Sequence, residues 1–194
     1  TYFTITSATN NIIFDLANVL VVDSVVFRGS QIAFVRNLDA LQVNFPQTLA
    51  VNQRDSVKIF YRGTPPASSA GYFVTSTHSG TPVLWTLSQP YGARTWWPCK
   101  DVLRDKPDSI DIIITNPSAY VSSSNGMPVS ETVSGGNRTI FWKHRYPIAA
   151  YLVAIAVTNY TVENDAVQLG SRNLPVSLYA YPESVSGFRV ITNT

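Results

Sequence analysis

Between residues 86 and 106 the chain gathers most of the side chains that could do chemistry: Gln89, Arg94, Trp96, Trp97, Cys99, Asp101 and Lys106. Arg94 and Asp101 carry opposite charges within a stretch full of aromatics, which suits them to satisfy each other and nearby backbone groups inside a loop. Lys106 reads the same way. Cys99, in Pro98-Cys99-Lys100, has no base placed beside it by sequence, and Lys100 alone does little to lower its pKa, so it reads as a small buried hydrophobe. As the only cysteine it also excludes an intrachain disulfide and a multi-thiolate metal site. The two histidines, His78 and His144, lie 66 positions apart, and neither has a Glu beside it or a second His four residues on. These residues therefore cannot assemble an H-E-x-x-H zinc site. Both are expected to be solvated, His78 in the polar loop 76–80 and His144 at a strand end.

The elements that must position these groups are strands. Alternation of apolar and polar residues dominates the chain, and helical periodicity is nearly absent before the last dozen residues. Ile110, Ile112 and Ile114 share one face of a segment whose other face carries Ser109, Asp111 and Thr115, the pattern of a half-buried antiparallel strand. Val57, Ile59 and Tyr61 alternate in the same way with Lys58, Phe60 and Arg62, and 138–144 repeats the pattern. Further strands are expected over 12–16, 25–28, 31–36, 41–45, 72–75, 152–157, 160–163 and 176–181. Turn residues punctuate them at 28–30, 62–66, 124–126 and 135–137, the last two being hairpin-like. About a dozen short strands and twelve prolines point to an all-β fold with little helix, a mostly antiparallel β-sandwich or saddle-shaped sheet pair.

Composition narrows the partners. With 194 residues the chain is long enough for one sizeable core and too short for two large domains. Hydrophobic residues at 45% against charged residues at 13% describe a globular protein. A net charge of +2, with scattered basic residues, gives no reason to expect a nucleic-acid or anionic-membrane partner. No apolar run approaches the roughly 18 residues of a membrane span. The Ser/Thr/Asn content leans toward an exported or periplasmic protein without fixing the compartment. The sequons at Asn137 and Asn159 arise readily by chance in a chain this rich in Asn and Thr.

Read as a whole, Thr86-Leu87-Ser88-Gln89-Pro90-Tyr91-Gly92-Ala93-Arg94-Thr95-Trp96-Trp97-Pro98-Cys99-Lys100-Asp101, with Lys106 five residues on, resembles the run T-Q-x-(E/Q)-x-x-x-A-R-x-x-(F/W)-P-C-x-D-x-x-x-x-K of the N-terminal domain of M1-family zinc aminopeptidases. Three further stretches match in the same order. Tyr61-Arg62-Gly63-Thr64-Pro65 resembles the family's Y-x-G-x-P, Asn116-Pro117 sits where it ends a strand with proline, and Pro147 to Ala154 resembles its P-x-x-x-Y-L-x-A strand. Together they cover most of residues 12–182. Two departures stand out: Leu87 replaces the family's Gln, and Val102 its Pro after the Asp.

The resemblance implies that residues 1–182 form the N-terminal β domain of a longer parent. Residues 183–194 would then be a linker or the start of a catalytic domain, and neither H-E-x-x-H nor G-x-M-E-N lies within the chain. It implies a parent that removes N-terminal residues from peptides with a zinc ion held by that missing domain. This domain would be inactive and metal-free alone, would wall the cleft, and would pack against the catalytic domain. Gln89 aligns with the family's Glu or Gln that binds the substrate's free α-amine, while Arg94, Pro98, Cys99, Asp101 and Lys106 are structural. Trp96 and Trp97, placed on a strand, would face opposite ways, with at least one in the core. Four tryptophans and ten tyrosines also raise a rival reading, a carbohydrate-binding or adhesion β-sandwich with exposed aromatics.

Overall fold

The computed structural model describes residues 1–66 and 71–187. In chain order the strands are β1 (Tyr2–Thr4), β2 (Thr9–Asp15), β3 (Val21–Phe27), β4 (Ser30–Gln31), β5 (Phe34–Asn37), β6 (Ala40–Leu49), β7 (Arg54–Arg62), β8 (Phe73–His78), β9 (Thr81–Thr86), β10 (Ile110–Pro117), β11 (Val121–Ser124), β12 (Met127–Ser134), β13 (Asn137–His144), β14 (Ile155–Thr158), β15 (Thr161–Leu169) and β16 (Arg172–Ala180). Helix among the described residues is limited to 3-10 turns at Ala93–Thr95, Ala150–Leu152 and Pro182–Ser184 and the short helical stretch 185–187 that follows the last. Every strand pairing is antiparallel, so the all-β, mostly antiparallel reading holds. The chain divides into two compact units.

The first unit comprises Thr1–Phe73, Leu87–Asp108 and Pro147–Val153. Its sheets run β1-β7-β3-β4 and β2-β6-β5, and one hydrophobic core takes side chains from both, the arrangement of a sandwich. Val25, Phe27 and Val57 come from the first sheet; Phe14, Leu41, Val43, Phe45 and Leu49 come from the second. Phe45 ties the layers together, its ring 4.9 Å from that of Phe27 and 5.8 Å from that of Phe3. Alternation explains β7: Val57, Ile59 and Tyr61 turn inward while Lys58, Phe60 and Arg62 are exposed. A second, smaller cluster of Ala93, Cys99 and Ala150, with Trp97 packed on it, lies under the loop that carries Gln89.

The second unit comprises Val74–Thr86, Ser109–Tyr146 and the chain from Ala154, with sheets β11-β14-β9-β8, β10-β13-β12 and the hairpin β15-β16. Ile140 and Trp142 of β13 are buried, opposite Ile114 and Ile112 of β10. The loop between β12 and β13 is a two-residue turn, Gly135-Gly136, with both φ values positive at 57° and 77°, the geometry that matches strand twist and favours glycine.

Several local expectations need correction. Residues 124–126 do not close a hairpin, because β11 pairs with β14 while β12 pairs with β13. Gly126 makes that crossover: a Cβ there would stand 2.1 Å from the Lys143 carbonyl oxygen. The segment 147–154 is not a strand. It forms the 3-10 turn Ala150–Leu152, and the strand begins at Ile155. Residues 31–36 split into β4 and β5, and β1, β9, β11 and β12 are strands that the sequence pattern does not mark. His78 is half-buried, stacked on Tyr181 at 3.7 Å and paired with Glu183, because the residues after β16 return beside the β8–β9 turn. The strand pattern ends after Ala180 with the turn Pro182–Ser184; of the segment 183–194, residues 188–194 lie outside the described residues.

Candidate functional site

The loop after β9 is built to hold one short polar stretch in place, entirely within the first unit. Ser88 is 1% exposed. Its carbonyl accepts the Gly92 N–H at 2.8 Å, and its hydroxyl accepts the indole N–H of Trp96 at 3.0 Å. The Leu87 N–H donates to the Tyr72 carbonyl at 3.2 Å. Gln89, Pro90 and Tyr91 thus bridge two anchored points, and the Gln89–Pro90 bond is cis. The Gln89 side chain is exposed and has no hydrogen-bond partner among the described residues, leaving an amide with one acceptor oxygen and two donors open to a ligand. Exposed Leu87 and Tyr91 flank it.

The far side of the loop explains its rigidity. A Cβ on Gly92 would sit 2.2–2.7 Å from three atoms of the Tyr72 ring, so the backbone passes there only because position 92 has no side chain. Gly92→Ala is expected to destabilise the protein by about 1–3 kcal/mol, the usual cost of overpacking, read as a lower denaturant midpoint with an unchanged m-value. No change in midpoint would mean that the Tyr72 ring turns aside freely. Thr95 closes the turn, its hydroxyl donating to the Gly92 carbonyl at 2.6 Å. The Tyr61 hydroxyl donates to the Trp96 carbonyl at 2.9 Å, and burial, with Cys99 nearby, pushes the Tyr61 pKa up to about 12.

Arg94, Cys99 and Asp101 hook the loop onto the end of β2. Asp15 exchanges two backbone hydrogen bonds with Cys99, at 2.7 and 3.1 Å, and the Ala17 N–H donates to the Arg94 carbonyl at 2.8 Å. The Asp15 carboxylate accepts the Asp101 N–H at 2.9 Å. Arg94 Nε donates to Asp101 Oδ2 at 2.9 Å, with a terminal nitrogen 3.7 Å from Asp15. The Asp101 side chain is 1% exposed and that of Arg94 32%. Burial alone would lower the Arg94 pKa, but the Asp101 hydrogen bond and the charges of Asp15, Asp101 and Asp39 outweigh it and raise it.

Pro98 is half-buried beside Trp97 and ends the turn just before the Cys99 bridge. Trp96 and Trp97 follow the 3-10 turn rather than lying on a strand, and both are half-buried. Lys106 is exposed and joins no ion pair among the described residues; the lysine of this region that does pair is Lys100, with Asp105 at 2.9 Å. Ser88, Tyr72 and Asp15 are the supporting residues that sequence reasoning missed. Ser88 stands at an unspecified position of the loop motif, Asp15 lies outside it, and the pattern around Tyr72 marks only a strand.

Burial pushes the Cys99 thiol well above its ordinary pKa, and the carboxylates of Asp101 and Asp15 add to the effect. At 4% exposure it cannot present a thiolate at neutral pH. Thiol titration with a disulfide reagent is therefore expected to register no reactive Cys99 in the native chain and one after unfolding. Rapid labelling of the native protein would refute this.

Among the described residues no three His, Cys, Asp or Glu side chains group as metal ligands. None of the four tryptophans is exposed, while Tyr2, Tyr91 and Tyr146 are. No helix among the described residues is long and apolar enough to cross a membrane.

An all-β, antiparallel fold with a β loop pinned around an Arg–Asp pair defines a class of domain that comparison makes specific. Residues 1–152 match the model of the peptidase M1 N-terminal domain, and the chain belongs to that family. No curated protein sequence matches it closely enough to count as a relative. Among solved structures it is similar to the M1 zinc metallopeptidase of Deinococcus radiodurans in a mutant form bound to a Tyr-Ser-Ala substrate, with TM-score 0.77 and 22% identity over 88% of this chain. A two-domain M1 zinc metallopeptidase bound to L-arginine gives TM-score 0.81 and 20% identity over 96%. Aminopeptidase A of Legionella pneumophila, in complex with aspartic acid, gives 0.72 and 19% over 92%. At these identities the likeness is one of fold. The chain spans 40%, 45% and 21% of those three chains.

Proposed function

We infer that these 194 residues are the N-terminal domain of a zinc-dependent aminopeptidase, whose metal and general base reside in a catalytic domain outside them. Within that enzyme the domain walls one side of the cleft and offers the Gln89 amide oxygen to the free α-amine of a peptide substrate. An exopeptidase must recognise an ammonium at one fixed distance from the scissile bond, and an acceptor on a rigid β loop supplies that register. The observation that carries the reading is the setting of Gln89: exposed and without a partner among the described residues, on a loop held by Ser88, Trp96 and the Gly92–Tyr72 contact. A surface turn residue needs no such support. Family membership and the fold shared with M1 metallopeptidases support the reading.

The isolated chain is expected to be catalytically silent and to bind no zinc in stoichiometric amount, since ligand spacing of the required kind is missing from the sequence. Metal analysis after dialysis, together with an aminoacyl reporter assay, checks this. Tight one-to-one zinc binding, or turnover that a chelator abolishes, would contradict it.

A further inference from the structure

Trp142 of β13 is 3% exposed, yet its indole N–H has no hydrogen-bond partner among the described residues. A buried donor left unpaired is costly, and most such groups in folded proteins find an acceptor. Trp142 also lines a recess of about 200 Å³, together with Ser124 of β11, Pro128 of β12 and Pro175, Ser177 and Tyr179 of β16. All of these residues belong to the second unit. The register sets Trp142 directly opposite Pro128, and alternation along β16 puts Pro175, Ser177 and Tyr179 on one side of that strand.

The chemistry of the lining selects the occupant. None of the lining residues is charged, so an ion entering would give up its hydration with no countercharge to replace it. The Trp142 and Tyr179 rings, 6.0 Å apart and inclined at 54°, join the two prolines in presenting carbon surface. The polar groups differ in what they offer. The Ser124 hydroxyl donates to the Ala154 carbonyl at 2.8 Å and the Ser177 hydroxyl to Asn164 Oδ1 at 2.8 Å, so both are left with lone pairs, whereas the Trp142 N–H can only donate. An occupant that satisfies all three must accept one hydrogen bond, donate two, and carry apolar C–H groups between them. At about 200 Å³ the recess is smaller than the roughly 300–1,000 Å³ of a drug-sized pocket, so it has room for one ring. We propose that it binds one neutral hexopyranose ring, either a free sugar or the terminal residue of a glycan. A pyranose carries hydroxyls that donate and accept at its rim, C–H groups on its faces and no charge. A proline ring of a peptide, the rival for a recess lined by aromatics and prolines, has no N–H and cannot donate to the serines. Such a site works whether or not Gln89 binds a peptide amine.

The test follows the Trp142 indole resonance of the isotope-labelled full-length parent during titration with the methyl glycosides of glucose, galactose, mannose and N-acetylglucosamine. The resonance is assigned by its loss in Trp142→Phe or, should that variant not fold, by broadening from a nitroxide on Pro175→Cys. At least one glycoside is expected to shift it saturably with Kd in the millimolar range, the value for a ligand this small. Ser177→Ala should weaken binding about 2- to 10-fold by removing one acceptor. Ser177→Phe, a change at an exposed position that fills the recess, should abolish it. Glucuronate, which adds a carboxylate to the same ring, should bind about tenfold more weakly than the glucoside or worse. The absence of a saturable Trp142 shift with all four glycosides would overturn the proposal. So would binding that survives Ser177→Phe, glucuronate binding as tightly as the glucoside, or a proline-rich peptide shifting the resonance where the sugars do not. Oligosaccharides ending in the favoured sugar separate the two sources: binding about tenfold tighter than the methyl glycoside assigns the site to a glycan end, and equal binding to the free sugar.

Discussion

Gln89→Ala in the full-length enzyme is expected to lower kcat/KM for peptides with a free N-terminus by about 10- to 150-fold. A hydrogen bond to a charged group contributes roughly 1.5–3 kcal/mol, at about 1.4 kcal/mol per decade of rate. Stability should hardly move, because the Gln89 side chain is exposed and has no hydrogen bond to lose among the described residues, while the loop is held by its neighbours Ser88 and Gly92. Gln89→Glu should keep or raise activity, since a carboxylate facing an ammonium adds Coulomb attraction in a partly desolvated cleft. Peptides with a blocked N-terminus supply the control, as their residual turnover should not respond to either change. If the Ala variant retains full kcat/KM, Gln89 has no part in substrate binding and the domain serves as a structural wall.

The second large effect concerns the hook beneath that loop. Removing one member of a buried ion pair costs about 3–5 kcal/mol, most of it from the partner left behind. Asp101→Ala belongs near the lower end, because Arg94 is a third exposed and keeps Asp15 at 3.7 Å. About 3 kcal/mol corresponds to a fall in Tm of roughly 6–12 °C for a chain of this size. Asp101→Asn, which preserves shape and one acceptor, should lose about half as much, on the scale of a hydrogen bond to a charged group. Arg94→Lys should also destabilise, since an ammonium cannot reproduce the guanidinium's directed contact. The two predictions separate cleanly: Asp101 variants lower Tm whatever the substrate, and Gln89 variants change kcat/KM at constant Tm. A change in Tm below about 2 °C for Asp101→Ala would mean that solvent compensates Arg94 and that the pair does not hold the loop.

How much of this was legible beforehand differs by element. The strands β7, β10 and β13 could be read because each buries one face only, so burial imposes a period of two on the residues themselves. The loop motif announced Arg94 and Asp101 as partners because two opposite charges in an aromatic stretch have few other ways to be satisfied. β12 could not be read, because all eight of its residues are exposed and nothing in its environment selects an alternating pattern. The turn at Ala150–Leu152 was misread for the opposite reason: Ile148, Ala149, Ala150 and Val153 are all buried, and a continuous apolar run does not say which backbone it follows.

What the sequence determined by itself was therefore whatever chemistry is local: strand alternation, the glycine turn at 135–136, the lack of zinc-ligand spacing, and the family of the Gln89 loop. Only the tertiary structure decided which distant groups hold that loop: Asp15 and Tyr72 come from β2 and the approach to β8 and share no spacing with it, and the motif that contains Tyr61 does not say that its hydroxyl reaches the Trp96 carbonyl. It alone decided that the Gln89 amide is left facing solvent while the neighbouring Ser88 is sealed in. Alternation reveals that a strand has two faces; which face is covered depends on the register of its partners and on what packs against them.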